Sequence, residues 1–191
     1  MRNTRTLFRI TLVITLFLIG VSSFGQKQER MKIQANMRGT GTQMGQLYNV
    51  NISIEQFSSP VDQKVLIDAF NKSGNEGIVN ALTKMSPKGR ISPTFSVGND
   101  VKYIREFPSE KGRRFRLVTD RNISFGEARG MTRSKDYSLS AVDITITPDG
   151  KKSFGTFLPA CKLKLNKKKE IEIEALQNPW KLSNIVVHRD D

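Results

Sequence analysis

Tyr137-Ser-Leu-Ser-Ala-Val-Asp-Ile-Thr-Ile-Thr147, the turn Pro148-Asp-Gly150 and the return run Phe154-Gly-Thr-Phe-Leu-Pro-Ala-Cys-Lys-Leu-Lys-Leu165 decide the fold. Val142, Ile144 and Ile146 alternate with Asp143, Thr145 and Thr147, the period of a strand with one buried face. The return run sets Phe157, Cys161, Leu163 and Leu165 on one phase, with Lys162 and Lys164 on the other. Two such runs about a Pro-Asp-Gly turn predict an antiparallel hairpin, and its length favours a curved sheet or barrel.

The same period recurs on both sides. Tyr48, Val50, Ile52 and Ile54 alternate with Asn49, Asn51, Ser53 and Glu55. Ile91, Pro93, Phe95 and Val97 lead to the turn Gly98-Asn-Asp100. Val101, Tyr103 and Phe107 return on one phase with Ile104 on the other, and Phe115, Leu117 and Thr119 follow the turn Glu110-Lys-Gly112. Beyond the hairpin, Ile171, Ile173 and Ala175 alternate with three glutamates, and Leu182, Ile185, Val186 and Val187 form a last short strand. Ser58-Ser-Pro60 opens a helical pair, interrupted at Asn71–Gly74 and ended by Ser86-Pro87. Residues 26–45 carry Gly39, Gly41 and Gly45 with no sustained period and read as a flexible leader that becomes an edge strand later on. The expectation is a single mainly β domain over 46–191. It is an antiparallel β-barrel or two-sheet sandwich of about eight or nine strands, with a short helical-pair insertion at about 60–86.

The chain has 191 residues, of which 37% are hydrophobic, with one cysteine and one histidine. That length suits one domain, and the composition excludes a disordered, collagenous or disulfide-framework protein. Lys and Arg number 31 against 18 acids, giving a formal charge of +13. Arg2, Arg5 and Arg9 precede the apolar run Ile10–Ile19, and Gly20, Ser22, Ser23 and Gly25 follow it. This pattern predicts an export signal over residues 1–25, with an apolar core shorter than the roughly 20 residues a membrane span needs. Its removal takes three arginines and no acid, so +13 becomes +10. No later apolar run is long enough to cross a bilayer as a helix. The expected location is the periplasm or the external medium, where a basic protein meets acidic ligands or surface polyanions rather than nucleic acid.

His188 and Cys161 are too few to make a usual zinc set, and a catalytic triad would depend on that near-terminal histidine. No metal and no cofactor are expected. Cys161, alternating with Leu163 and Leu165, reads as a buried strand thiol. Glu106, Asp120, Glu127, Asp136 and Asp143 lie in or beside strands, where two acids on one concave face would serve glycan hydrolysis. No spacing singles out a pair, and acids on solvated faces or at turns explain them equally. The glycines at 39–45 lack the lysine and the helix of a phosphate loop.

Basic residues concentrate over 102–135, with ten against four acids, and over 148–169, with seven lysines against one acid. Arg114 and Arg116 share a strand face, as do Lys162 and Lys164, while Arg121 and Arg129 flank a polar stretch with Asp120 and Glu127. If those strands are neighbours, the six cations form an outward patch suited to phosphate, sulfate or an acidic polysaccharide. The plainer reading is the solvated face of a basic exported protein, with salt bridges around the crossover at 118–129. Phe115 lies on the opposite phase from the two arginines, so a nucleic-acid stacking platform is not expected. Trp180, the single tryptophan, reads as a plug at one end of the core.

Six segments together resemble a group of exported bacterial proteins, of Gram-negative type, that has no assigned activity. They are Tyr103-Ile-Arg-Glu-Phe-Pro108, Phe115-Arg-Leu-Val-Thr-Asp-Arg121, Ile123-Ser-Phe-Gly126, Asp136-Tyr-Ser-Leu-Ser-Ala-Val142, Gly155-Thr-Phe-Leu-Pro-Ala160 and Glu174-Ala-Leu-Gln-Asn-Pro-Trp-Lys181. The likeness spans about residues 60–187 and implies no catalytic or binding residue. The exit Ser23-Phe-Gly-Gln26 is similar to those of Gram-negative exported proteins, which leans the location toward the periplasm.

These features predict a cell-envelope β domain that binds a small apolar or anionic ligand, or an envelope protein, without catalysis. The alternatives are a carboxylate-dependent glycan-active enzyme and an assembly protein acting through an exposed edge strand, such as Tyr48–Ile54. A hollow interior would favour an apolar carrier, and a filled core would move binding to the surface.

Overall fold

The structure is a computed structural model that describes residues 30–94, 96–123, 137–167, 169–175 and 178–190. The expected export signal, Phe95, Glu127, Arg129 and Asp136 lie outside the described residues. Nine strands form in the order β1 (Arg30–Arg38), β2 (Leu47–Ile54), β3 (Gly89–Pro93), β4 (Asn99–Ser109), β5 (Gly112–Thr119), β6 (Leu139–Ile146), β7 (Phe154–Leu165), β8 (Ile171–Ala175) and β9 (Trp180–Asp190). One helical segment, α1 (Pro60–Lys84), separates β2 from β3.

The hydrogen-bonded order is β6-β5-β4-β3-β2-β1-β9-β7, and pairing of β6 with β7 closes the ring. The result is an eight-stranded antiparallel barrel, with β8 as one extra strand. Closure removes the edges that a sandwich would leave, which settles barrel over sandwich.

Two expectations change here. The stretch read as a flexible leader turning into an edge strand holds the nine-residue β1, which is no edge: it pairs with β2 on one side and β9 on the other. Met31, Ile33, Ala35 and Met37 are buried and alternate with Lys32, Gln34, Asn36 and Arg38. The period is there, but methionine and alanine are weak strand formers and mask it. Tyr48–Ile54 belongs to β2, which pairs with both β1 and β3 and so offers no edge.

Twenty buried apolar residues form the inner cluster, among them Phe115, Phe157, Ile52, Met37 and Trp180. Eight strands enclose a space that side chains just fill. Trp180 is 1% exposed, and its ring meets that of Tyr48 at 5.6 Å, the plug expected of it.

Two bulges reverse side-chain phase. Between Val101 and Tyr103 the β4–β5 register slips, so Val101 and Ile104 face inward while Tyr103 turns outward. Between Leu158 and Cys161 the β6–β7 register slips in the same way, sending Phe157 inward but Leu158, Cys161 and Leu163 into a second cluster. An extra residue in one strand is enough for this. Past the second bulge β7 leaves the ring and pairs with β8, from Cys161↔Ala175 to Leu165↔Ile171, as a two-stranded ribbon. β9 takes the same side of β7 nearer its start, at Gly155–Phe157.

Helix α1 covers the second cluster. Its start is fixed by a capping box: Ser59 Oγ accepts from the Asp62 N–H at 3.1 Å, and the Ser59 N–H donates to Asp62 at 2.8 Å. Burial works against the Asp62 carboxylate, but the Ser59 backbone and hydroxyl bonds and the Lys88 ammonium hold its pKa below the ordinary value. Ser73 and Gly74 leave helical geometry, Gly74 at φ 58°, and divide α1 into the two arms that the sequence predicts. The arms meet so closely that a side chain on Gly77 would strike the Ala69 carbonyl. Leu66, Ile78 and Leu82 pack against Tyr103, Val118, Ala141, Leu158 and Cys161 on the outside of the barrel. Asn75, just past the break, accepts from the Leu163 N–H at 2.6 Å and donates to its carbonyl at 2.7 Å. It thereby serves the β7 edge that β6 no longer reaches. Among the described residues no helix is long and apolar enough to cross a membrane.

Candidate functional site on the outer face

Register places two rows of side chains on the outside of β4–β7. One row runs Arg105, Arg116, Asp143, Thr156, and the next runs Phe107, Arg114, Thr145, Phe154. Two arginines directly opposite each other repel. Asp143 resolves the conflict: its oxygens accept from Arg116 Nε at 3.1 Å and Nη2 at 2.8 Å, and from Arg114 Nη2 at 2.7 Å. The Phe107 ring receives two guanidinium faces, Arg105 at 5.2 Å and Arg116 at 5.1 Å from its centroid.

The β7–β8 ribbon folds back over this face. Arg116 Nη1 donates to the Ile171 carbonyl, tying the ribbon to the barrel wall. Between ribbon and wall lies a cavity of about 290 Å³, lined by Phe107, Arg114, Arg116, Asp143 and Lys164, with Asn166, Glu170 and Glu172 on the ribbon side. Asn166 donates to both Glu170, at 3.0 Å, and Glu172, at 3.2 Å. Lys164 lies 3.9 Å from Glu172. Arg116 is 7% exposed and committed to its partners, whereas Arg114 and Lys164 are 42% and 54% exposed. Three cations (Arg114, Arg116, Lys164) stand against three carboxylates (Asp143, Glu170, Glu172), so the charges of the lining balance. Arg105 stacks on Phe107 outside that lining, its Nη1 shut off from solvent.

The six cations singled out in the sequence thus separate. Arg114, Arg116 and Lys164 share the cavity. Lys162 sits on the same ribbon face, 3.7 Å from Glu174 and 5.1 Å from the Tyr137 ring. Arg121 lies beyond the end of β5, bonded to Asp120 at 3.0 Å, a contact that raises its already high pKa. Arg129 is outside the described residues. Of the acids, Asp143 is held by two arginines, Glu106 binds Arg113 at 2.7 Å, and Asp120 binds Arg121. Each described carboxylate in that set has its own guanidinium, and no two converge.

Phe107 and Phe154 were not expected here. The sequence puts Phe107 in phase with Val101, and only the bulge moves it outward. Phe154 reaches the row through pairing with Thr145.

Cys161 is buried, as expected, and burial pushes its thiol up to about 12. Among the described residues no group of three or more His, Cys, Asp or Glu is placed to hold a metal ion.

The fold and site define a closed β-barrel with a helical flank and an amphoteric outer cavity. Comparison with family models, with curated proteins and with solved structures yields no match.

Proposed function

We propose that this barrel is an envelope protein that binds an acidic saccharide, without turning it over, between its outer wall and the β7–β8 ribbon. The observation that carries this reading is the mixture of groups around the cavity. Arg114 and Lys164 offer exposed positive charge to a carboxylate or sulfate. Glu170 and Glu172, held in place by the two N–H bonds of Asn166, offer acceptors to hydroxyl groups, and Phe107 offers a flat apolar surface to a sugar ring. A bare phosphate would meet as much negative as positive charge here, whereas a ligand with one anionic group and several hydroxyls satisfies both.

Three further observations support the reading. A barrel interior occupied by side chains favours binding at the surface over carriage in the lumen. Asp143, with both oxygens held by arginines, is a poor proton donor or nucleophile, which favours binding over hydrolysis. The basic flank, apolar run and small-residue exit at residues 1–25 favour the envelope as the place of work.

Calorimetry with a glucuronate-containing disaccharide, its neutral glucose counterpart and inorganic sulfate tests the proposal. The acidic disaccharide is expected to bind at least about tenfold more tightly than the other two, with that advantage lost in Arg114→Ala/Lys164→Ala. Equal binding of acidic and neutral sugars, or indifference to the double variant, would overturn it. Cleaved products in the mass spectrum would overturn the absence of turnover.

A further inference from the structure

The outer cavity leaves a second recess of the molecule unused. The two arms of α1 diverge from their contact at Gly77 and Ala69 and enclose a cleft of about 520 Å³. Its floor is apolar: Val65 and Ala69 from the first arm, Ala81 and Met85 from the second. Val65 is 45% exposed, and Val61, one turn earlier on the same stripe, is 70% exposed. Apolar side chains at i, i+4 and i+8 ordinarily face a core, yet these face outward, because Leu66, Ile78 and Leu82 supply the core face.

Charge at the rim selects what fits. Lys72 and Ser73 stand at the break between the arms, whereas Lys84 stands at the far end of the second arm, beside Met85. No described carboxylate pairs with Lys72 or Lys84. The one acid on the rim, Asp62, is occupied by Ser59 and by Lys88 at 3.3 Å, and it marks the end away from the break. The cleft therefore offers an apolar trough with a cation and a hydroxyl at the break, Lys72 and Ser73, and a second cation, Lys84, at the far end.

We propose that the cleft between the two arms of α1 binds a fatty acid, its tail on Val65, Ala69, Ala81 and Met85 and its carboxylate at Lys72 and Ser73. The apolar floor supplies the affinity by taking the methylenes of the tail out of water. The lysine supplies the choice of an anionic head over a neutral or cationic one. The site is independent of the outer cavity, so either proposal stands if the other fails.

Titration of the folded protein with dodecanoate, dodecanol and dodecyltrimethylammonium, each below its micelle concentration, tests the assignment. Dodecanoate is expected to bind saturably with one site per chain, and dodecyltrimethylammonium at least about tenfold more weakly. Lys72→Glu lies on the surface and leaves the fold intact, and it is expected to weaken dodecanoate about tenfold while sparing dodecanol. Ala81→Phe fills the trough and should abolish binding of both, with an unchanged circular dichroism spectrum confirming that the arms remain folded. Absence of saturable binding, equal affinity for the cationic amphiphile, or dodecanoate binding undiminished by Lys72→Glu would overturn the proposal.

Discussion

Arg116 grips both oxygens of Asp143, through Nε at 3.1 Å and Nη2 at 2.8 Å, while its remaining nitrogen holds the carbonyl of Ile171. One guanidinium thus ties β5, β6 and β8 together and fixes one wall of the outer cavity. Both partners are largely buried, at 7% and 18% exposure, so their worth lies in being complete. Removing one leaves a charge stranded, whereas replacing both with apolar groups need not cost stability.

Asp143→Ala is accordingly expected to destabilise the fold by about 2–4 kcal/mol, because it strands Arg114 and Arg116 together. Arg116→Met/Asp143→Leu should recover most of that loss. Urea unfolding of the two variants checks it, and a double variant worse than the single one would contradict it.

Asn75→Ala removes both bonds to the backbone of Leu163, leaving an N–H and a carbonyl on a buried edge. The expected cost is about 1–3 kcal/mol. Hydrogen exchange locates it: the Leu163 amide should lose protection ahead of the amides of β1 and β2.

Asp62 gives the helical flank a pH dependence. Its folded pKa lies below its ordinary value, so the carboxylate contributes stability that is fully present above the ordinary value, near about pH 4, and is lost as pH falls through the folded value. The urea midpoint should therefore fall more steeply below about pH 4 in the natural chain than in Asp62→Asn. Ser59→Ala should cost about 1 kcal/mol at neutral pH by removing the same cap.

The Cys161 thiol, buried and pushed up to about 12, should stay unreactive toward a disulfide reagent at pH about 8, where an ordinary cysteine is partly thiolate. It should react at once in denaturant. Fast labelling of the folded chain would contradict its place beneath α1.

Strand period was legible wherever β-branched and aromatic residues carried it, as in β2, β6 and β7, and so was the break between the helical arms. β1 escaped because Met31, Ala35 and Met37 speak weakly for a strand. The cations of the outer cavity were legible as residues, but not their setting. Asp143 finds Arg116 27 positions away in sequence, and Phe107 reaches the outer face only because an extra residue reverses its phase. Alternation along one strand cannot reveal a bulge, since it is the partner strand that counts the residues.

The most direct test of the account follows the arginine side-chain N–H resonances of Arg114 and Arg116 during titration with the glucuronate disaccharide. The account predicts saturable shifts at both, with Arg121, bonded to Asp120 beyond β5, unmoved. Shifts confined to Arg121 and other exposed cations, or none at any arginine, would contradict binding at the outer face.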